Sequence, residues 1–171
     1  ELVNLPERET RLKDALAETL KAAPAPRREG LPGFPLDFYV EAHIEQGPRL
    51  ENEKKTIGVV TAIQGSRRYI VSTTGEEAHA GTTPRAARKD AFKAALRIAT
   101  AMYEATNDAD DTLRFTIGRV DVSPGSPNTV PGKAVFTIDM RHPDEAVLEA
   151  HEAKLAAIVA ARATPCAATI E

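Results

Sequence analysis

Three short clusters in this sequence hold polar residues of the types that do chemistry. The first is Glu41-Ala42-His43-Ile44-Glu45-Gln46-Gly47. A neutral imidazole binds zinc well, and a flanking carboxylate can orient its other nitrogen, so His43 at the end of an extended run suits metal ligation. A lone histidine is also commonly a structural or surface residue. The second cluster is Ala78-His79-Ala80-Gly81-Thr82-Thr83-Pro84. His79 sits in a loop of small residues just before an expected helix start, where free backbone amides favour anionic groups. Its ring could donate to a developing oxyanion; the plainer alternative is a loop histidine bonded to a nearby carbonyl. The third runs from Pro124 to Gly132 and on to Asp139-Met140-Arg141-His142. Asn128 lies between prolines in a rigid turn, which holds its amide in place at little entropic cost. Arg141 ends a strand, where a guanidinium can grip a carboxylate through two parallel bonds. An ordinary turn Asn and a surface Arg are the simple alternatives.

The elements that must position these residues follow from periodicity. Residues 9–23 read as a helix, with Leu12, Leu16 and Leu20 on one stripe. A connector rich in proline and glycine runs to Pro35, and Phe38-Tyr39-Val40 begins the extended run toward His43. Ile57 to Ile63 is apolar and β-branched, which predicts a buried strand bounded by Gly65.

A different unit starts at Arg67. Tyr69, Val71 and Thr73 alternate along a first strand. Thr83 as cap and Pro84 at the first helical position predict a helix running to about Ala105, burying Ala91, Ala95, Ile98 and Met102. Strands follow through Leu113, Phe115 and Ile117 and through Phe136, Ile138 and Met140. A second helix spans about 144–163, with Leu148, His151, Leu155 and Ile158 on one stripe, and Ala168-Thr169-Ile170 opens a final strand that the chain barely enters. The resulting βαββαβ order predicts an α+β, ferredoxin-like antiparallel sheet with both helices on one face. The domain expectation is therefore residues 1–66 as one segment and 67–171 as the second domain.

Composition narrows the function classes. The 171 residues carry a net charge of −3, with 42% hydrophobic and 27% charged residues, as in globular proteins. Basic residues cluster only in pairs such as Arg27-Arg28 and Arg67-Arg68, so no nucleic-acid footprint is present. No apolar run reaches membrane-spanning length. Cys166 is the single cysteine; it can form neither an internal disulfide nor a cysteine-based zinc site, which fits a reducing, cytoplasmic setting. Glu1 opens the chain without a methionine or leader-like stretch, as in a piece of a longer protein.

Taken together, the motifs resemble the M20-type amidohydrolases of the hydantoinase/carbamoylase branch, which includes N-carbamoyl-L-amino-acid hydrolases, allantoate amidohydrolases and β-ureidopropionases. His43-Ile44-Glu45-Gln46-Gly47-Pro48 with Leu50-Glu51 resembles the metal-ligand segment of that branch. Ile57-Gly58-Val59-Val60 resembles the strand that enters its lid. His79 to Pro84 with Arg88-Lys89-Asp90-Ala91 resembles the lid-helix motif, apart from Arg85 where a methionine is expected. Asn128 to Gly132 and Asp139-Met140-Arg141 resemble its substrate-recognition turn and strand.

The resemblance implies a lid and dimerisation domain joined to a partial catalytic α/β segment. It implies hydrolysis of a carbamoyl or amide C–N bond by a centre of two divalent ions (Zn, Mn, Co or Ni) in the full-length enzyme. His43 would be one metal ligand, and Gln46 would contact the ureido or amide group. His79 would stabilise the oxyanion on the neighbouring subunit's site, while Asn128 and Arg141 would hold the carboxylate of a small substrate. The partner would be a second copy, through the lid. His142 and His151 do not supply the missing ligands, so the chain alone is expected to bind no metal firmly and to be inactive. The competing expectation is a stand-alone ferredoxin-like dimerisation or ligand-binding module.

Overall fold

A computed structural model describes residues 12–22, 35, 37–107 and 111–171. The chain packs as two units, Glu1–Ile57 and Gly58–Glu171. In the first unit, helix α1 spans Leu12–Ala22. Two leucines of its stripe are not covered: Leu16 and Leu20 are 54% and 45% exposed. Residues 9–11 of the expected helix, and the connector at 24–34, lie outside the described residues. Residues 38–45 form no regular element, so His43 does not end a strand. The short helix α2, Arg49–Asn52, is tied back by Glu45, whose Oε2 accepts from the Leu50 amide at 2.9 Å.

The buried strand expected over 57–63 does not form. Residues 58–64 have no strand pairing, and Val59, Val60 and Ile63 are 86%, 85% and 93% exposed. β-branched residues favour an extended backbone. A strand, however, also needs a neighbour to complete its ladder and cover a face, and among the described residues none does.

The second unit is built on a four-stranded antiparallel sheet ordered β3-β5-β1-β6. These strands span Arg114–Ser123 (β3), Lys133–His142 (β5), Gly65–Thr74 (β1) and Ala167–Ile170 (β6). Helices α3, Ala91–Thr106, and α4, Glu145–Arg162, pack on one face, as the βαββαβ order requires. Alternation does the sorting: Ala134, Phe136, Ile138 and Met140 of β5 point into the core at 0–2% exposure, while Val135, Thr137, Asp139 and Arg141 face the other way. Ile98, Met102, Leu148 and Leu155 meet them from the helices. Each such side chain contributes about 1.5–3 kcal/mol by leaving water. In β3 the pairing skips between Ile117 and Arg119. This bulge at Gly118 keeps Val120 and Val122 on the same face as Phe115 and Ile117 despite the change of parity.

Helix α3 starts later than the sequence expectation. Pro84 has ψ 145°, an extended value, and introduces only a 3₁₀ turn at Arg85–Ala87. The cap is Asp90, whose carboxylate accepts from the Lys93 amide at 2.9 Å, and the Ala91 amide donates to Pro131 O at 3.0 Å. Asp90 satisfies the free amides of the first turn directly, so Thr83 and Pro84 are released to a loop.

Two residue pairs make a second, small sheet: β2, Ala78–His79, and β4, Thr129–Val130. Close backbone approach seats it beside the main sheet. The Gly75 amide donates to Gly132 O at 2.8 Å, and a Cβ on Gly75 would stand 1.9 Å from the Lys89 carbonyl oxygen. A backbone carbonyl cannot rotate away as a side chain can. Gly75→Ala is therefore expected to destabilise this chain by on the order of 3 kcal/mol, read as a lower urea midpoint. An unchanged midpoint would show that the junction is looser than described.

Candidate functional site

The small sheet brings together residues 50 and 52 positions apart, with His79 opposite Thr129 and Ala78 opposite Val130. The Ala80 amide donates to Asn128 O at 2.9 Å, so His79 and Asn128 stand next to each other. The His79 ring is fixed by its own loop: Nδ1 accepts from the amides of Gly81 at 3.0 Å and Thr82 at 3.2 Å. An acceptor at Nδ1 puts the ring proton on Nε2. Asn128 is held similarly, its Oδ1 accepting from the Ser126 hydroxyl at 2.7 Å. That leaves its NH₂ as the group to donate. Both exposed side chains thus offer N–H donors and no free acceptor. Each of these donors can meet a carboxylate or an oxyanion.

Arg141 lies elsewhere. It is on β5, eight residues from Lys133, and Lys133 is the end nearest the small sheet; the strand rise makes that roughly 26 Å. Asp139 grips it side-on, with Arg141 Nε 2.6 Å from Oδ1 and Nη2 3.0 Å from Oδ2. Arg68 Nε adds a contact to Oδ2 at 3.3 Å. Asp139 therefore occupies the Nε–Nη2 edge and leaves the terminal fork of the guanidinium for another carboxylate. Directly opposite Arg141 on β3 is Arg114, which carries its own counter-ion in Asp111 at 2.9 Å. Arg68, Arg114 and Arg141 thus gather here around the two aspartates Asp111 and Asp139.

The hydrogen bond from Arg141 holds the Asp139 carboxyl below the usual carboxylate range, against the opposing effect of partial burial, with the charges of Arg141 and Arg68 helping. A depressed folded-state value means stability that is present above the unfolded carboxylate range, near 3.9, and lost as pH falls through the folded value. Asp139→Asn is expected to flatten this part of the acid limb. Urea unfolding of both proteins at several pH values below about 5 tests it, and parallel acid limbs would refute it.

In the first unit, His43 and Gln46 are exposed. His43 Nε2 contacts Glu41 Oε1, and Glu41 Oε2 accepts from the Tyr39 hydroxyl at 2.9 Å. This is the carboxylate-oriented imidazole the sequence suggested, with Nδ1 remaining. Gln46 has φ 56°, the left-handed region that a non-glycine residue rarely adopts. Among the described residues no group of three or more His, Cys, Asp or Glu could hold a metal ion. One oriented imidazole does not make a divalent-ion site, so the described residues do not by themselves fit the metal pair. The other histidines are engaged locally: His142 Nδ1 accepts from the Asp144 amide at 3.0 Å, and His151 Nδ1 lies 2.8 Å from Val147 O. Cys166 is buried, and that burial pushes its thiol up, away from the reactive thiolate.

Three residues that the sequence places only within motifs, with no role of their own, prove to position others: Arg88, Ser126 and Asp139. Arg88 Nε donates to Thr83 O at 2.9 Å and Nη2 to Ala80 O at 2.6 Å, clamping the loop that carries His79. Its only sequence signal is membership of a motif.

Comparison with known proteins identifies the family. Residues 61–165 match the peptidase dimerisation domain of the M20 type. The chain is 47% identical over 130 residues to an allantoate amidohydrolase of Escherichia coli, covering 76% of this chain and 30% of that protein. It is 44% identical over 110 residues to an N-carbamoyl-L-amino-acid amidohydrolase of Paenarthrobacter aurescens, covering 64% and 27%. A crystal structure of a hydantoinase/carbamoylase-family amidase from Burkholderia multivorans superposes with a TM-score of 0.66 at 44% identity, over 75% of this chain and 32% of that one. The chain thus spans about three-tenths of the length of the curated relatives it matches. It belongs to the M20 family through its peptidase dimerisation domain, and its similarity lies with the hydantoinase/carbamoylase branch of amidohydrolases.

Proposed function

We propose that residues 67–171 are the lid and dimerisation domain of a metal-dependent amidohydrolase, and that residues 1–66 are a segment of its catalytic domain. The full enzyme hydrolyses a carbamoyl or amide C–N bond in a small ureido acid, either an N-carbamoyl-L-amino acid or allantoate. The observation that carries this reading is the pairing of β2 with β4, which brings together the two segments that carry the donors His79 and Asn128. His79 serves the oxyanion and Asn128 the substrate. Arg141, with its terminal fork open, takes the substrate carboxylate, and Gln46 the ureido or amide group.

The separation of roughly 26 Å along β5 bears on how these residues cooperate. That length, from Lys133 to Arg141, exceeds the reach of an arginine side chain and a small substrate, which supports assigning Asn128 and Arg141 of one chain to different sites. A symmetric homodimer through the lid resolves this, with His79 and Asn128 of one protomer completing the site that uses its partner's Arg141. The metal pair would be held by His43 with residues supplied from outside this chain. A cytoplasmic setting is supported by the lone thiol.

The test is direct. The full-length enzyme, loaded with zinc, manganese or cobalt, is expected to release product from N-carbamoyl-L-amino acids or allantoate, and residues 1–171 alone are not. Turnover by the 171-residue chain would sink the assignment of an incomplete site. A full-length enzyme inert toward both substrate classes would sink the functional reading.

A further inference from the structure

His79 is exposed, yet one nitrogen of its ring is held twice. Nδ1 receives two backbone amides, from Gly81 and Thr82, at 3.0 and 3.2 Å. The peptide between them turns back on the ring because residue 81 is a glycine: a Cβ there would stand 3.2 Å from His79 Cε1 and 3.5 Å from Nδ1. The same loop closes on itself, the Thr83 amide donating to His79 O at 3.2 Å. It is clamped from outside by the half-buried Arg88, whose two donors reach Thr83 O at 2.9 Å and Ala80 O at 2.6 Å. Two carbonyls that would otherwise compete for the loop amides are thereby occupied by a permanent cation.

We infer that the Gly81 and Thr82 amides, backed by the Arg88 guanidinium, lock His79 in its Nε2–H tautomer, so that the lid supplies it as a fixed hydrogen-bond donor. Arg88 is a positioning residue, acting through His79. A proton placed on Nδ1 would face two N–H donors with no acceptor, which disfavours the opposite tautomer. A donor with its orientation set before the reaction needs no reorganisation as charge develops on the substrate oxygen. The lock is a property of this chain alone; its catalytic consequence rests on the function proposed above.

The lock can be read without any activity. In the ¹⁵N-labelled 171-residue chain at mildly alkaline pH, His79 Nδ1 is expected to resonate as an unprotonated nitrogen. It should also show a through-hydrogen-bond N–N coupling to the Gly81 or Thr82 amide. Arg88→Gln should abolish that coupling while amide signals outside residues 79–90 stay in place, and Arg88→Lys should weaken it less. An Nδ1-protonated ring, or an averaged ring with no coupling in the unsubstituted chain, overturns the inference. So does a coupling that survives Arg88→Gln.

In the full-length enzyme, Arg88→Gln is expected to lower kcat by roughly 10- to 100-fold, the cost of a misplaced catalytic group, with KM little changed. That loss should vanish in a His79→Ala background. An intact lock in an enzyme indifferent to His79→Ala would confirm the inference and refute the oxyanion role.

Discussion

His79→Ala in the full-length enzyme is expected to lower kcat by roughly 10²- to 10³-fold, the scale of a lost oxyanion-hole donor. KM should change little, because the charge this donor meets develops only in the transition state. The ring is exposed and, among the described residues, bonded only within its own loop, so its removal leaves the core untouched. Stability and dimer content should therefore match the parent. Steady-state kinetics with a carboxylate-bearing ureido substrate decide the matter. A proportional rise in KM with kcat unchanged would instead mark His79 as a ground-state binding residue.

Arg141→Ala should raise KM and lower kcat/KM by roughly 30-fold, about 2 kcal/mol for a lost charge-assisted pair. A substrate analogue with a carboxamide in place of the carboxylate should be nearly indifferent to the change. Equal losses with both substrates would separate Arg141 from the carboxylate. The two variants also test each other. If His79 of one protomer and Arg141 of its partner share a site, a heterodimer of the His79→Ala and Arg141→Ala chains has one intact site and one doubly damaged site. Random mixing and reassociation should then restore about a quarter of parental activity, since half the dimers are mixed and half their sites are intact. No restoration would place both residues in one protomer's site. Restoration is what the strand length leads us to expect, because eight residues of β5 separate Arg141 from the end that bears the small sheet.

Much of this arrangement is legible in the sequence because its signals are local. Alternation through Phe136, Ile138 and Met140, and helical stripes through Ile98 and Met102 or Leu148 and Leu155, sort side chains to one face without reference to distant residues, and all of these are buried. The βαββαβ order then leaves few ways to close a core. Asp144 as the cap of α4 is likewise a local matter, its carboxylate accepting from the Ala146 amide at 2.9 Å. The candidate residues His43, Gln46, His79, Asn128 and Arg141 stood out by type and motif.

What they face did not. A two-residue strand such as Ala78–His79 has no period to detect, and it exists because its partners Thr129 and Val130 arrive from 50 and 52 positions away. Asp90 prevails over Thr83 as the cap because Arg88 and Pro131 take up the backbone groups around it. Residues 57–63 carry the strand propensity the sequence promised, but propensity makes no ladder without a neighbour. The sequence by itself determined the sheet, its helices and the identity of the polar residues, since each depends on side chains within a few positions of one another. Only the tertiary structure decided that His79 and Asn128 share one end while Arg141 holds the other, and which nitrogen of His79 is left to donate. Those are distances and hydrogen bonds between segments that meet only when the chain is folded.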